Sequence, residues 1–242
     1  MTVGTTSPAI AVNSLRKSYG DTVAVDNVSF EVQIGEIFCI VGPNGAGKTT
    51  TIECLEGHRR PESGTVRVLG LDPGLENNGL RRRVGVQLQE ANLPDRLRVW
   101  EALDLFASFY QHPVDWEKLL YSLDLQDKRK TYFTRLSGGQ KQRLFVALAL
   151  INDPEIVYLD ELTTGLDPHA RRSIWKLIEE IRDRGRTVVL TTHFMDEAEQ
   201  LADRVAVMHR GKIVALDKPS HLVADAQARN LEEVFLTKTQ SE

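Results

Sequence analysis

Gly42-Pro43-Asn44-Gly45-Ala46-Gly47-Lys48-Thr49-Thr50 decides how this 242-residue chain is read. Four residues separate two glycines and Lys-Thr follows, the spacing of a phosphate-binding loop. The apolar run Ile37-Phe38-Cys39-Ile40-Val41 precedes it as a buried strand would, and a helix-compatible run from Thr50 to Glu56 follows. Gly42, Gly45 and Gly47 allow backbone N–H groups to turn inward on phosphate oxygens with no Cβ in the way. The helix after the loop points free N–H donors and a positive dipole end at the same anion. Lys48 is placed to reach the terminal phosphates. Thr49 is placed to give a hydroxyl to Mg²⁺, a cation that prefers oxygen ligands. Pro43, Asn44, Ala46 and Thr50 complete the loop.

Upstream of the loop, residues 1–9 read as a loose start. Ile10 to Leu15 alternates apolar and polar side chains, and Val28, Phe30, Val32 and Ile34 share one face of a second strand. Tyr19-Gly20-Asp21 is a turn between them. Tyr19 reads either as a base-stacking aromatic or as a partly buried turn residue.

Downstream, Thr65 to Leu69 is a short strand, residues 70–80 a loop and Val84 to Gln89 another alternating segment. Arg81-Arg82-Arg83 fits a solvated face. Residues 98–110 and 115–123 have helical spacing, with Asp115 as N-cap. Leu136-Ser137-Gly138-Gly139-Gln140 then opens a strong helix, Lys141 to Asn152, apolar nearly all round at 144–151 and so expected to be buried. A serine hydroxyl, glycine N–H groups and a helix N-terminus there suggest a second anion site. One chain rarely needs two such sites for one nucleotide, so the second points to a nucleotide held by another chain.

Ile156-Val157-Tyr158-Leu159-Asp160-Glu161 is an apolar strand ending in two carboxylates. In phosphate-loop enzymes a strand-end Asp orients the Mg²⁺ shell, and the neighbouring Glu can polarise a water. Gly165-Leu166-Asp167-Pro168 starts a helix running to about Arg184, with Asp167 as N-cap and Pro168 in the first turn. Thr187 to Thr191 is a further β-branched strand ending at Thr192-His193. Val205 to Met208 and Lys212 to Leu216 form a hairpin. A helix and a short strand, Val234-Phe235-Leu236, are expected beyond Asp217.

Bulk properties narrow the classes. Net charge is −4, which gives no global field favouring nucleic acid or anionic lipid. Cys39 and Cys54 form no metal-type pair and read as buried thiols of a reducing compartment. Met1 to Ala9 lacks a basic-then-apolar leader pattern. The longest apolar run, Leu144 to Ile151, is far below the roughly 18–20 residues of a membrane span, so any membrane connection is expected through a partner.

These motifs in this order resemble the nucleotide-binding subunit of ABC transporters, over roughly residues 10–216. The resemblance implies an α/β, P-loop NTPase fold: a RecA-like mixed-sheet core (10–88 and 153–216), an N-terminal antiparallel β subdomain and an inserted helical subdomain (about 89–152). Residues 1–9 and 217–242 would be terminal segments. It implies that Gly42–Thr50 holds ATP, with Tyr19 stacked on adenine. Asp160 would be the metal-orienting acid, Glu161 the catalytic base and His193 the γ-phosphate switch, while Gln89 would touch Mg²⁺ with Thr49 and Asp160. Ser137, Gly138, Gly139 and Gln140 would be the signature that meets ATP in trans, and Gly165, Leu166 and Asp167 the interface loop.

The implied activity is ATP hydrolysis in a homodimer, or with a paired ATPase subunit. Thr192 to Glu199 and Leu231 to Leu236 resemble the drug- and antibiotic-export branch, whose ATPase is cytoplasmic and held on the inner face of the cell membrane by a separate transmembrane permease of the ABC-2 type. No nucleic acid partner is implied. Leu162 departs from the family's usual proline. The alternative class is a soluble ABC ATPase acting in assembly or on a ribosome; chromosome-type relatives would need long coiled coils that the 46 residues between Gln89 and Leu136 do not supply.

Overall fold

The computed structural model describes residues 7–75, 78–87 and 92–239. A three-stranded antiparallel sheet, order β2-β1-β4, is built from β1 (Ile10–Tyr19), β2 (Thr22–Val32) and β4 (Ser63–Val68). A six-stranded sheet, order β5-β6-β7-β3-β8-β9, contains β3 (Ile37–Val41), β5 (Val84–Gln87), β6 (Ile156–Asp160), β7 (Thr187–Thr192), β8 (Arg204–His209) and β9 (Lys212–Asp217). Its pairs are parallel except β8–β9, a hairpin. Helices α1 (Lys48–Leu55), α2 (Asn78–Arg81), α3 (Val99–Ala107), α4 (Trp116–Ser122), α5 (Gly138–Leu150), α6 (Pro168–Asp183), α7 (Met195–Leu201), α8 (Pro219–Asp225) and α9 (Leu231–Thr239) complete the chain.

The large sheet is buried on both faces, which is why β3, β6 and β7 are buried at every position rather than at alternate ones. Side chains still alternate between faces. Ile37, Cys39 and Val41 with Val157, Leu159, Val188 and Leu190 pack under α3 to α7. Phe38 and Ile40 with Ile156, Tyr158 and Val189 pack against α1 and the small sheet. Phe30 stacks on Phe38, ring centroids 5.1 Å apart, and so joins the two sheets.

Helix signals are used as expected at several ends. Asp115 caps α4 by accepting from Glu117 N–H. Asp167 caps α6 by accepting from His169 and Ala170 N–H, and Leu144 to Ala149 are all buried. Both cysteines are buried thiols. Other expectations are corrected. Ile34 lies past the end of β2 and is 64% exposed, because a turn from Gln33 to Glu36 ends the pairing. Asn78–Arg81, placed partly in a loop, closes one helical turn. Val234-Phe235-Leu236 is helical, not a strand: Leu231 and Val234 on one face of α9 are fully buried, and Leu231 N–H donates to Glu199 on α7 at 3.1 Å. A three-residue apolar run carries no period that separates the two choices.

Candidate functional site

The C-terminal ends of β3, β7 and β6 lie side by side, in register Val41 to Thr192 and Thr191 to Asp160. The phosphate loop, the Thr-Thr-His segment and the acidic pair therefore open on one edge of the sheet, where ligands of open α/β sheets bind.

The loop is shaped by close backbone contacts. Gly47 sits at φ +102° as N-cap of α1, and a Cβ there would stand 2.3 Å from the Ala24 carbonyl oxygen on β2. A Cβ on Gly42 would stand 2.3 Å from the carbonyl oxygen of Met208 on β8. Gly45, at φ +80°, has open space around it. The glycines thus serve the loop's packing against two strands as well as any anion. Gly211, at the β8–β9 turn, donates its N–H to the Ala46 carbonyl at 3.0 Å and accepts from Asp26 N–H at 2.8 Å, tying the loop to the small sheet.

Lys48 is 4% exposed and donates to the carbonyls of Gly42 and Pro43 at 3.0 and 3.2 Å. Its ammonium lies 3.4 Å from Glu161 Oε1, and Glu161 Oε2 lies 3.5 Å from His193 Nδ1. Glu161 adopts φ +49°, just off the strand end, so it turns away from the line of Asp160. Tyr19, Asn44, Gly45, Gly47, Lys48, Thr49, Thr50 and Glu161 line one groove. Tyr19 is 43% exposed, with the Lys17 and Arg59 cations within 6 Å of the ring centre.

Burial pushes the Asp160 carboxyl up, the Thr191 hydroxyl opposes this, and the Glu161 charge adds to the rise. Thr191 Oγ1 donates to Asp160 Oδ1 and accepts from Glu161 N–H at 3.2 Å. The sequence reading passed over Thr191 as strand filler; its signal was a hydroxyl directly after the apolar centre of the strand, Val188 to Leu190. Asp160 and the exposed Thr49 offer oxygen donors only. That donor set suits Mg²⁺, which keeps several waters and phosphate oxygens in its shell. Gln89 lies outside the described residues.

Ser137, Gly138, Gly139 and Gln140 are not among the walls of that groove. They open α5 as a capping box: Ser137 Oγ accepts from Gln140 N–H, and Gln140 Oε1 accepts from Ser137 N–H. Ser137 and Gly138 are exposed. A Cβ on Gly138 would meet Leu166 Cδ2 at 3.3 Å and one on Gly139 would meet Ala170 Cβ at 3.4 Å, so the signature and the 165–167 loop form one surface. The backbone N–H groups of Ala170 and His169, which donate to Asp167 at the start of α6, hold its carboxyl below the usual range.

Behind the acidic pair, burial pushes Glu56 from its ordinary 4.5 up to about 8, with Asp160 and Glu53 adding to the rise. Its side chain is 3% exposed, with His58 Nδ1 2.9 Å away. The folded state therefore holds a proton that the unfolded chain releases, and stability falls as pH rises from about 4.5 to about 8. Glu56→Gln should remove that slope: melts at pH 5 and pH 8 should differ less than in the wild type, and an unchanged difference would contradict the assignment.

A phosphate loop, a strand-end acid pair and an interposed strand ending in histidine define a P-loop ATPase. Comparison with known proteins takes this further. The family model for ABC transporters matches residues 25–164. The chain is 41% identical over 232 residues to Nod factor export ATP-binding protein I of Paraburkholderia xenovorans (strain LB400), covering 94% of this chain and 76% of that protein. It is 40% identical over 238 residues to the protein of the same name from Ralstonia nicotianae (strain ATCC BAA-1114 / GMI1000), covering 96% and 74%. Among solved structures it is similar to an ATP binding subunit of an ABC transporter, with TM-score 0.84, 26% identity and coverage of 96% and 99%. It is similar also to a dimeric post-hydrolysis ATP-binding cassette bound to ADP and Pi, with TM-score 0.77, 27% identity and coverage of 86% and 98%. The chain belongs to the ABC transporter family. Within it, it is an ATP-binding subunit and an ATPase.

Proposed function

We propose that this subunit powers export of a drug, antibiotic or lipid-like molecule through a separate ABC-2 type permease, and that two copies close head to tail on ATP. ATP with Mg²⁺ would lie in the groove from Tyr19 to Glu161, its metal held by Thr49 and Asp160. Glu161, with His193 beside it, would activate water. One observation carries the two-copy reading: Ser137 and Gly138 are exposed and stand outside the groove that holds Lys48, next to Leu166. The signature donors then belong to the nucleotide of a second copy, and Gly165–Asp167 to the same contact.

Closure follows from differential affinity, since only the closed pair offers the complete donor set. Moving a 1:99 population to 99:1 takes about 5.5 kcal/mol. Hydrogen bonds to charged groups, each about 1.5–3 kcal/mol, supply that from a few contacts at each of two sites. Export is supported by the names of the relatives. Among the described residues no helix is long and apolar enough to cross a membrane, which fits peripheral attachment through the permease. The helical insertion, about 89–152, would act as the lever on that permease.

Ser137→Arg should leave ATP binding by the monomer intact, abolish turnover and prevent the ATP-dependent dimer expected in the wild type, with size exclusion as the measurement. A dimer that persists would overturn the head-to-tail reading. Co-purification with a membrane permease tests the transport role, and association with ribosomes instead would contradict it.

A further inference from the structure

Thr191 sits between the two carboxylate-bearing positions and the phosphate-loop strand. In register it faces Asp160 on β6 and Ile40 on β3. Its hydroxyl donates to Asp160 Oδ1 and accepts from Glu161 N–H at 3.2 Å, while its carbonyl accepts from the same N–H at 3.1 Å. Thr191 is 1% exposed, so water has no access to take over these bonds. Glu161 stands at φ +49°, a left-handed conformation that L-residues hold only when their surroundings impose it. The next residue is Leu162, without a proline's fixed φ. It is 3% exposed and packs in the main core, which anchors the turn on its far side.

We propose that Thr191 is a positioning residue of the ATPase site: its single hydroxyl fixes the Asp160 carboxylate and, through the backbone, the left-handed turn that aims Glu161. The inference rests on the roles assigned to Asp160 and Glu161 above. Were Thr191 only a β-branched filler, valine would serve as well; the hydroxyl makes the difference, because valine leaves a buried carboxylate oxygen without its donor.

Outer-sphere partners of metal-orienting groups typically carry 10–100-fold effects on metal affinity or activity. Thr191→Val should therefore raise the Mn²⁺ concentration for half-saturation about 10–100-fold, read by electron paramagnetic resonance with a non-hydrolysable ATP analogue. Fluorescent-ATP affinity measured in EDTA should stay unchanged, since the phosphate loop is untouched. Thr191→Ser, which keeps the hydroxyl, should restore most of the metal affinity. A wild-type Mn²⁺ titration in Thr191→Val, or a serine variant no better than valine, would overturn the proposal. If the valine variant does not fold, Thr191→Ala against Thr191→Ser gives the same comparison, and equal titrations overturn it. Asp160→Asn is the control: if it too leaves Mn²⁺ binding unchanged, the metal role of Asp160 fails; if it alone weakens binding, only the role of Thr191 does.

Discussion

Glu161→Gln is expected to keep ATP binding, to lower turnover by about 10²–10⁴-fold and to accumulate an ATP-bound dimer. The geometry gives the reason. One carboxylate oxygen faces the Lys48 ammonium at 3.4 Å and the other faces His193 Nδ1 at 3.5 Å, and the side chain is 7% exposed. An amide of the same shape can fill that space and still accept a hydrogen bond from Lys48. It cannot take a proton from water. Binding and closure should then proceed while the step that reopens the pair is lost. The measurement is paired: phosphate release for turnover, and size exclusion with ATP for the dimer. Wild-type turnover in the variant would refute Glu161 as the base. Lost turnover with no dimer would instead refute the link between hydrolysis and opening.

Much of this site was legible in the sequence because its parts are short and chemically loud. A Lys flanked by patterned glycines, an apolar run ending in Asp-Glu, and Ser-Gly-Gly before a helix each announce their local geometry. The fold class followed from the order of these motifs and the family they resemble, with the apolar runs of β3 and β6 consistent with buried strands. Three things were not legible. Thr191 acts through a strand neighbour some thirty residues away in sequence, a relation that only the register of β6 and β7 creates. The role of β8 beneath the phosphate loop was hidden because the nearest approach to Gly42 is made by the Met208 carbonyl, a backbone group that no side-chain pattern announces. The end of the chain was misread as a strand at Val234 to Leu236, since what makes it helical is the burial of Leu231 and Val234 against distant elements. Tertiary context of this kind has no local signature.

Two glycines of the phosphate loop should respond very differently to the same added methyl. At Gly45 the backbone is left-handed, φ +80°, but open space surrounds the position. Alanine there meets only the conformational cost, about 1–2 kcal/mol, and Gly45→Ala should fold and melt a few degrees low. Gly47 combines φ +102° with a Cβ position 2.3 Å from the Ala24 carbonyl and 3.3 Å from Met208 Cε. The Met208 side chain can move, but the Ala24 carbonyl is backbone of β2, held between Val23 and Val25, which both pair with β1. Relief must therefore come from the loop itself, at the residue that caps α1 and precedes Lys48. Conformational strain of about 1–2 kcal/mol and overpacking of about 1–3 kcal/mol give a total of about 2–5 kcal/mol. At about 2–4 °C per kcal/mol for a chain of this size, Gly47→Ala should lower Tm by roughly 4–20 °C. It should also displace the Lys48 ammonium and the helix N-terminus together, so that fluorescent-ATP binding, measured well below the lowered Tm, is lost. If Gly47→Ala bound ATP as the wild type does, the contact between β2 and the loop would not be what sets the loop's shape.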